Sequence, residues 1–287
     1  MLMWSQSSTS PILAIANDNL YRMCPDDTRQ GPAIAEMLRS FGIEAIVVIQ
    51  RGDGWADGLY DTIEPAFTSD GGEILDRIIY DPSITDFTYV LQEAERWMAA
   101  SIDCFGIDHV AIQLIAFNEG ATIAYQAKDY PTIYSVPWFG CNGTALAQIF
   151  IDDLPEQVGH LHVFSTLTAP TESSKFWDLY DRYFALTGQP LSYYGTCQYD
   201  IAWVLAEAIL EAQSTDPANI IPLLNTVTNN HFGASGWCLL NEAGDRENAN
   251  YQIWGYGDIG NGLQNVQYGF YDSITGKVTW KRAHLGF

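Results

Sequence analysis

Basic residues are scarce in this 287-residue chain, which has 13 lysines and arginines against 35 aspartates and glutamates, for a formal net charge of −22. Nucleic acid and anionic membrane surfaces are recognised by basic faces, so this composition argues against both as partners. Solubility in a saline or extracellular setting accounts for the acidity. Apolar residues make up 47% of the chain, which is enough for a hydrophobic core and too many for a disordered protein.

Several patterns that identify membrane proteins, disulfide-rich proteins and hydrolases are also missing. The sequence has no apolar run of about 18 residues, no secretory signal before the fold and no G-x-S-x-G elbow. It therefore predicts no membrane span, no catalytic nucleophile and no cofactor, and either a cytoplasmic chain or one whose N-terminal part is absent. The cysteines are scattered and odd in count, so we expect at least one free thiol and no disulfide framework; they are Cys24, Cys104, Cys141, Cys197 and Cys238.

Three segments nearly match binding motifs but lack the flanking elements or further ligands that those motifs need. Residues 255–260 match G-x-G-x-x-G, but a turn and a strand-like stretch follow instead of the helix that a dinucleotide site needs. Residues 53–58 faintly resemble a calcium loop but lack its second acidic ligand and its closing glutamate. His160 and His162 would share one face of a predicted strand, with no third ligand nearby. The sequence therefore predicts no metal site.

From residue 29 onward, apolar strands alternate with helices at a spacing of about thirty residues, as βαβ units do. Residues 45–50 form a continuous apolar run, typical of a strand buried on both faces. The alternation predicts an α/β doubly wound parallel sheet, whose ligands bind beyond the carboxyl ends of the strands. The predicted strands are 45–50, 73–80, 109–115, 132–136 and 162–165, and the predicted helices are 29–41, 57–66, 86–101, 118–128, 144–151, 173–186, 199–213 and 217–228.

Two further features point to a ligand site. A cluster of hydroxyl residues at 5–10 follows an apolar start and precedes a helix, so it would place hydrogen-bond donors at the carboxyl end of a strand. Asp27 and Gln30 resemble a capping box at that helix. Aromatic residues recur at predicted strand ends or helix starts, where they are either core or the walls of a ligand cleft; they are Trp55, Phe117, Trp138, Phe139 and Tyr194.

Several segments match the motifs of one family in order along most of the chain; they are 7–11, 22–32, 53–59, 86–88, 137–140, 199–202 and 244–245. On these segments the chain resembles the type I solute-binding proteins of ABC transporters, specifically the branched-chain amino acid (Leu/Ile/Val) and amide-binding group. The resemblance implies two doubly wound lobes joined by a hinge, which close on a small ligand without catalysis. It also implies that the family's first βαβ units, about a hundred residues, are missing before residue 1.

The ligand-binding residues implied by the resemblance are Ser7, Thr9, Asp27, Trp55, Phe117, Trp138 and Tyr194. Ser7 and Thr9 would hold a ligand carboxylate or amide, and Asp27 would lie near an ammonium group. Trp55 would cover the ligand where the family usually has a tyrosine. Trp138 departs from the family, because a carboxylate near that point can help to hold an α-ammonium group. The aromatic wall is therefore compatible with an amide, an aromatic compound or a small organic acid.

The implied domains are an incomplete lobe 1, at 1–27 and 167–236, and lobe 2, at 28–166 and 237–287. We hypothesise a fragment, a misassigned start or one half of a split protein whose missing half, or a dimer partner, supplies the rest. The predicted function is capture of a small polar molecule for a membrane permease, outside the cytoplasm. The alternatives are a ligand-sensing regulator of the same fold and an enzyme, which would need a second carboxylate beside a buried Asp27.

Overall fold

The computed structural model describes residues 1–247, 249–258, 260 and 262–281. No helix in these ranges is long and apolar enough to cross a membrane. The strands are β1 (Met3–Ser5), β2 (Leu20–Arg22), β3 (Ala45–Arg51), β4 (Glu73–Tyr80), β5 (Val110–Ile115), β6 (Trp138–Gly140), β7 (Phe164–Thr168), β8 (Phe232–Gly233), β9 (Gly236–Trp237), β10 (Tyr251–Asp258), β11 (Leu263–Asp272) and β12 (Lys277–Trp280). The α-helices are α1 (Asp27–Phe41), α2 (Gly54–Thr68), α3 (Thr88–Phe105), α4 (Glu119–Ala127), α5 (Pro131–Ser135), α6 (Gln148–Asp153), α7 (Pro155–Leu161), α8 (Ser174–Thr187), α9 (Tyr193–Ala212), α10 (Pro217–Ile220) and α11 (Leu224–Asn230).

The chain divides into two compact units: unit 1 is Met1–Arg29 with Thr168–Asn250, and unit 2 is Gln30–Leu167 with Tyr251–Phe287. The last boundary differs from the sequence-based one, since residues 237–247, 249 and 250 group with unit 1 and not with the second lobe. The reason is two buried arginine contacts, because Asp245 pairs with Arg22 and Arg246 donates to Ser235. Residues 248 and 282–287 of the range assigned to lobe 2 lie outside the described residues.

Unit 2 is built on one large sheet in the order β4–β3–β5–β6–β7–β10–β11–β12. The pairs from β4 to β7 are parallel, whereas β10, β11 and β12 form an antiparallel run. The carboxyl ends of the parallel strands therefore meet at one edge of the sheet and their amino ends at the other. This arrangement confirms the predicted α/β class with a mainly parallel sheet.

Helices cover both faces of this sheet, as the continuous apolar strands require. In β3, Ala45, Val47 and Ile49 belong to one buried cluster, which also takes side chains from α3, α4 and α5. Ile46 and Val48 point to the opposite cluster, which takes side chains from α1 and α2. Period-two alternation along a strand buried on both faces thus builds two cores in one unit.

The predicted strand at 132–136 is wrong, because α5 occupies that position. Pro131 is the first residue of α5, a position that suits the fixed φ of proline. The carboxylate of Glu95 accepts hydrogen bonds from the backbone nitrogens of Thr132 (3.0 Å) and Ile133 (2.9 Å) and so caps the helix. The strand lies further on, at β6.

The predicted strand at 162–165 starts later than expected, at Phe164, because α7 precedes it. His160 lies in α7, whereas His162 follows it with a φ of 59°. The two imidazoles therefore do not share a strand face. The G-x-G-x-x-G match at 255–260 lies on β10 as far as Asp258; Ile259 and Asn261 lie outside the described residues.

Unit 1 is mainly helical in its described part. Its strands form two short pairs, β1 with β2 in parallel and β8 with β9 in antiparallel orientation, so the doubly wound sheet implied for lobe 1 is not present among these residues. The core lies between α9, α11 and the segment that follows β2, and it includes Met23, Cys24, Cys197, Val204 and Cys238. All five cysteines are free thiols, and only Cys104 is exposed.

Candidate functional site

In unit 2, charged and aromatic side chains gather at the carboxyl edge of the parallel sheet. Arg51 ends β3, and Phe117 follows β5 by two residues. The turn after β6 approaches the same place, because a Cβ atom built on Gly143 would lie 2.3 Å from the carbonyl oxygen of Ala116 and 2.8 Å from the Phe117 ring. Only glycine fits at residue 143, since any side chain would meet backbone there.

An aromatic pair forms the apolar part of this edge. Trp55 lies in the first turn of α2, which Asp53 caps by accepting a hydrogen bond from the Ala56 nitrogen (3.0 Å). The ring of Trp55 stacks on that of Phe117, with centroids 4.4 Å apart and an interplanar angle of 13°. Phe117 remains 41% exposed, so the pair presents a flat apolar surface beside the charged groups described next.

A guanidinium and two carboxylates lie directly against this pair. The Arg51 guanidinium carbon is 4.5 Å from the centroid of the Phe117 ring, a cation–π geometry. Arg51 Nε donates to Asp53 Oδ2 (2.5 Å), and Arg51 Nη1 donates to Glu119 Oε1 (2.7 Å). Among the described residues, Arg51 Nη2 has no hydrogen-bond partner. The guanidinium is thus fixed in direction and keeps donors for a further acceptor.

The protonation states at this edge follow from burial and from these partners. Burial alone lowers the pKa of Arg51, but the hydrogen bond to Asp53 and the charge of Glu119 raise it overall, so the guanidinium stays charged. Burial, together with the Glu119 carboxylate, raises the pKa of Tyr80. Its hydroxyl therefore stays protonated and donates to Glu119 Oε1 (3.1 Å). Two side-chain donors thus hold the Glu119 carboxylate in one position.

In unit 1, the hydroxyl loop (residues 5–10, after the start of β1) is held by hydrogen bonds within the loop and by the side chain of Arg22. The hydroxyl oxygen of Ser5 accepts hydrogen bonds from the backbone nitrogens of Ser7 (3.3 Å) and Ser8 (3.0 Å). Arg22 Nη1 donates to the carbonyl oxygens of Ser8 (3.1 Å) and Ser10 (2.8 Å). The loop is therefore ordered by a fully buried arginine, and Ser7 lies exposed at its outer turn.

Thr9 and Asp27 are brought together in the same unit. The Thr9 hydroxyl donates to Asp27 Oδ2 (3.0 Å), and the Asp27 backbone nitrogen donates to the Thr9 carbonyl (2.8 Å). The predicted capping box is wrong: Asp26 caps α1 by accepting from the Thr28 nitrogen (2.9 Å), and Gln30 directs its amide to Thr166 Oγ1 (2.8 Å). Asp27 is thus available to the loop rather than committed to the helix start.

The other two predicted site residues lie in different settings. Tyr194 is half-buried in the first turn of α9, edge-on to Tyr193 at 5.8 Å. Trp138 departs from its expected position in the ligand wall. Its ring is fully buried in the core of unit 2, and its Nε1 donates to the Ile133 carbonyl (2.7 Å). Its neighbours are core side chains from the helices on that face, so it does not join the pair of Trp55 and Phe117.

Sequence reasoning missed the charged members of both sites. Arg51 carried one usable signal, because it directly follows an apolar strand at the edge where ligands bind. No local sequence signal indicated Glu119 or Tyr80, because these residues contact Arg51 or each other only once the sheet has formed. Arg22 was matched to a family segment, but the sequence did not indicate that it would hold the hydroxyl loop.

Comparisons with known proteins bear on the fold and the class of protein. A family model described as the receptor family ligand binding region matches residues 1–102. An uncharacterized protein of Methanocaldococcus jannaschii is 29% identical over 276 residues, which cover 91% of this chain. The chain spans only 63% of the length of that relative.

Solved structures give the same fold. A leucine-binding protein, LivK, of Thermotoga maritima superposes with a TM-score of 0.75 at 22% identity, over 92% of this chain and 72% of that one. A solute-binding protein of R. palustris in complex with benzoate has a TM-score of 0.69 at 14% identity, over 92% of this chain and 69% of that one. The first of these proteins is described as leucine-binding and the second as a solute-binding protein, and at these identities the likeness shows the fold.

Proposed function

We propose that this chain, whose fold is that of the type I periplasmic binding proteins, binds a small polar ligand as the solute-binding component of an ABC-type uptake system. The observation that carries the proposal is the group formed by Trp55, Phe117 and Arg51 at the carboxyl edge of the sheet, the edge at which open α/β sheets bind ligands. Ligand sites combine apolar and aromatic walls with a few placed polar groups, and this edge has both.

The charges of this edge suit an amino acid, an amide or a small organic acid. The remaining donors of Arg51 match a carboxylate or an amide oxygen. The nearby carboxylates of Asp53 and Glu119 match an ammonium or an amide nitrogen. The flat surface of the two rings suits an aliphatic or aromatic side chain.

From unit 1 we propose four further contacts. The exposed hydroxyl of Ser7 and the Thr9–Asp27 pair would take the polar end of the ligand, and Tyr194 would supply a wall. Trp138 is left out of the proposed site because its ring is fully buried and its Nε1 is already bonded.

The test is calorimetric titration of the chain with L-leucine, L-isoleucine, acetamide and benzoate, with tryptophan fluorescence recorded in parallel. Phe117→Ala removes half of the stacked pair. We expect it to weaken binding about thirtyfold, because about 2 kcal/mol of aromatic contact is lost. Arg51→Met removes the charged donors, and we expect it to reduce the affinity for benzoate more than that for acetamide.

A matched control is Tyr89→Ala, since Tyr89 is an aromatic residue on α3 that is 72% exposed. It should leave every affinity unchanged. Binding that survives Phe117→Ala and Arg51→Met at the affinity of the Tyr89→Ala control would show that the ligand is held elsewhere. A flat calorimetric and fluorescence response to all four compounds would count against the proposed ligand classes.

The partners and location remain part of the proposal. We propose a membrane permease as the recipient of the ligand and a location in the periplasm or at the cell surface. A further polypeptide, such as a dimer partner, would find apolar surface on α8. Only Phe176 of that helix is buried, whereas Trp177, Phe184 and Leu186 are exposed. Light scattering of a Phe184→Ser variant beside the parent chain would test this surface, with loss of association expected.

A ligand-sensing receptor is the second candidate. It is favoured by the match of residues 1–102 to a model of receptor ligand-binding regions. Both candidates share the site described above and differ in what the bound state contacts. Permease and ATPase genes beside this gene would favour uptake, and their absence beside a regulatory gene would favour sensing.

A further inference from the structure

The amino ends of the parallel strands in unit 2 surround a second pocket, at the edge of the sheet opposite to Arg51 and Phe117. Its volume is about 540 Å³, within the range of small-molecule sites. Asp108, Pro137 and His162 line it from the starts of β5, β6 and β7. Nothing in the proposed solute-binding function uses this edge.

Aromatic rings form one wall of the pocket. Phe41, at the end of α1, lies 5.2 Å from Phe164 and 5.6 Å from Trp280, measured between ring centroids. The indole nitrogen of Trp280 donates to the hydroxyl of Ser40 (3.0 Å), which fixes its orientation. Phe41 and Trp280 are only partly buried. The wall therefore presents two partly buried rings to the pocket, with the indole of Trp280 fixed in orientation.

Two imidazoles face the same space, and their tautomers follow from their partners. His160 Nε2 lies 2.8 Å from the Tyr134 carbonyl, and His162 Nδ1 lies 3.1 Å from the Tyr256 carbonyl. A carbonyl oxygen only accepts, so these two nitrogens carry the protons. In the neutral imidazoles, His160 Nδ1 and His162 Nε2 are then acceptors. Neither has a hydrogen-bond partner in the described part of the chain.

The backbone that presents His162 is strained. His162 and Val163 have φ values of 59° and 41°, a region that a β-branched residue such as valine rarely adopts. Val163 is fully buried, so the surrounding core enforces this conformation. Strain of this kind persists where the structure over-determines it and is concentrated at ligand sites. Here it turns the His162 ring toward the pocket, 5.8 Å from Phe164.

We propose that this pocket is a second binding site, which takes a neutral, planar aromatic molecule carrying hydroxyl or N–H donors. Its ring would pack on Phe41 and Trp280, and its donors would reach the acceptor nitrogens of His160 and His162. An anion is disfavoured by the Asp108 carboxylate at the rim. A metal ion is disfavoured too, since no group of three ligating side chains exists among the described residues.

The test uses 2,7-dihydroxynaphthalene as the probe and 2,7-dimethoxynaphthalene, which lacks the donors, as its matched ligand. The indole N–H signals of the full chain are followed by NMR, with Trp280 assigned through Trp280→Phe. We expect the dihydroxy probe to shift the Trp280 signal and not that of Trp55. The dimethoxy compound should bind several times more weakly, because it leaves both imidazole acceptors unpaired.

His160→Phe keeps a ring against Tyr134 and removes the acceptor, and we expect it to weaken binding of the dihydroxy probe about twofold to tenfold. His109→Phe, at another exposed histidine bonded to a carbonyl but outside the pocket, should leave the affinity unchanged. Equal affinities for the two probes, an unchanged His160→Phe variant or a shift at Trp55 without one at Trp280 would each overturn the proposal. Titration with L-leucine or benzoate tests the other edge separately.

Discussion

The replacement Arg22→Met would test the buried support of the hydroxyl loop. The side chains of Arg22 and Asp245 are 0% and 1% exposed, and the guanidinium donates to both carboxylate oxygens of Asp245. It also donates to the carbonyl oxygens of Ser8 and Ser10. Methionine fills a similar volume but donates nothing. The change therefore leaves a buried carboxylate uncompensated and removes one donor from each carbonyl, so that Ser8 keeps only the Cys24 thiol and Ser10 only the Leu13 backbone nitrogen.

The expected magnitude follows from these losses. Breaking a buried ion pair by removing one partner costs about 3–5 kcal/mol. That is a large share of the roughly 5–15 kcal/mol by which domains are stable. For a unit of this size, a loss of about 4 kcal/mol lowers the midpoint of thermal unfolding by about 10 °C or more.

The assay is thermal unfolding followed by circular dichroism, with hydrogen exchange to report on residues 5–10. Arg182→Met is the matched control, because its pair with Asp178 is solvent-exposed and should change the free energy of unfolding by less than about 1 kcal/mol. The double replacement Arg22→Met with Asp245→Leu should recover much of the loss, since it removes both charges together. The reasoning would be refuted if the unfolding midpoint of Arg22→Met lay within 2 °C of the midpoint of Arg182→Met, a difference of roughly 1 kcal/mol.

Three further predictions concern two of the thiols and a close backbone approach. Only Cys104 is exposed, so Ellman's reagent should react with one thiol in the folded chain, and Cys104→Ser should abolish that reaction. Burial raises the pKa of Cys197 to about 12. The stability that the buried neutral thiol contributes is therefore present below pH 9 and is lost as the pH rises through 12, by about 1.4 kcal/mol per pH unit. Between pH 8 and 11, the free energy of unfolding should fall less steeply for Cys197→Ala than for the parent chain. Gly143→Ala should cost about 2 kcal/mol, because its Cβ would meet the Ala116 carbonyl, whereas Gly54→Ala, with nothing within 4 Å, should be neutral in the same denaturant titration.

The sheet of unit 2 could be predicted where local pattern and tertiary environment agree. Residues 45–50 form an uninterrupted apolar run, and β3 lies there, buried on both faces. Asp86 was expected to start a helix, and its carboxylate accepts from the Thr88 nitrogen (2.9 Å). The segment at 132–136 has the β-branched and aromatic composition of a strand. It is helical because Glu95, 37 residues earlier, caps it, and no local pattern reports such a partner.

The same error explains why Trp138 was expected to contact the ligand. With a strand expected at 132–136, Trp138 lay beyond the carboxyl end of that strand, where ligand contacts occur. The strand in fact begins at Trp138, so its ring belongs to the pleated surface and packs in the core. Trp55 and Phe117 were predicted from the same rule, and they stack because their strands end where expected. Glu119 meets Arg51 across 68 residues of sequence, a pairing that only the sheet creates.

The distribution of the few cations narrows the chemistry of the proposed ligand. Arg22 and Arg246 are buried in unit 1 and bonded to Asp245 and Ser235, so they serve the fold. Arg51 is partly exposed at the edge proposed to bind ligand, and two carboxylates already match its charge. In a chain of net charge −22, a purely anionic ligand would meet a repulsive field that one neutralised guanidinium does not reverse. A zwitterion or an amide would not be repelled in this way, because its positive or neutral nitrogen can face Asp53 and Glu119 while its oxygen faces Arg51. The electrostatics of this edge therefore favour an amino acid or amide over a simple carboxylate.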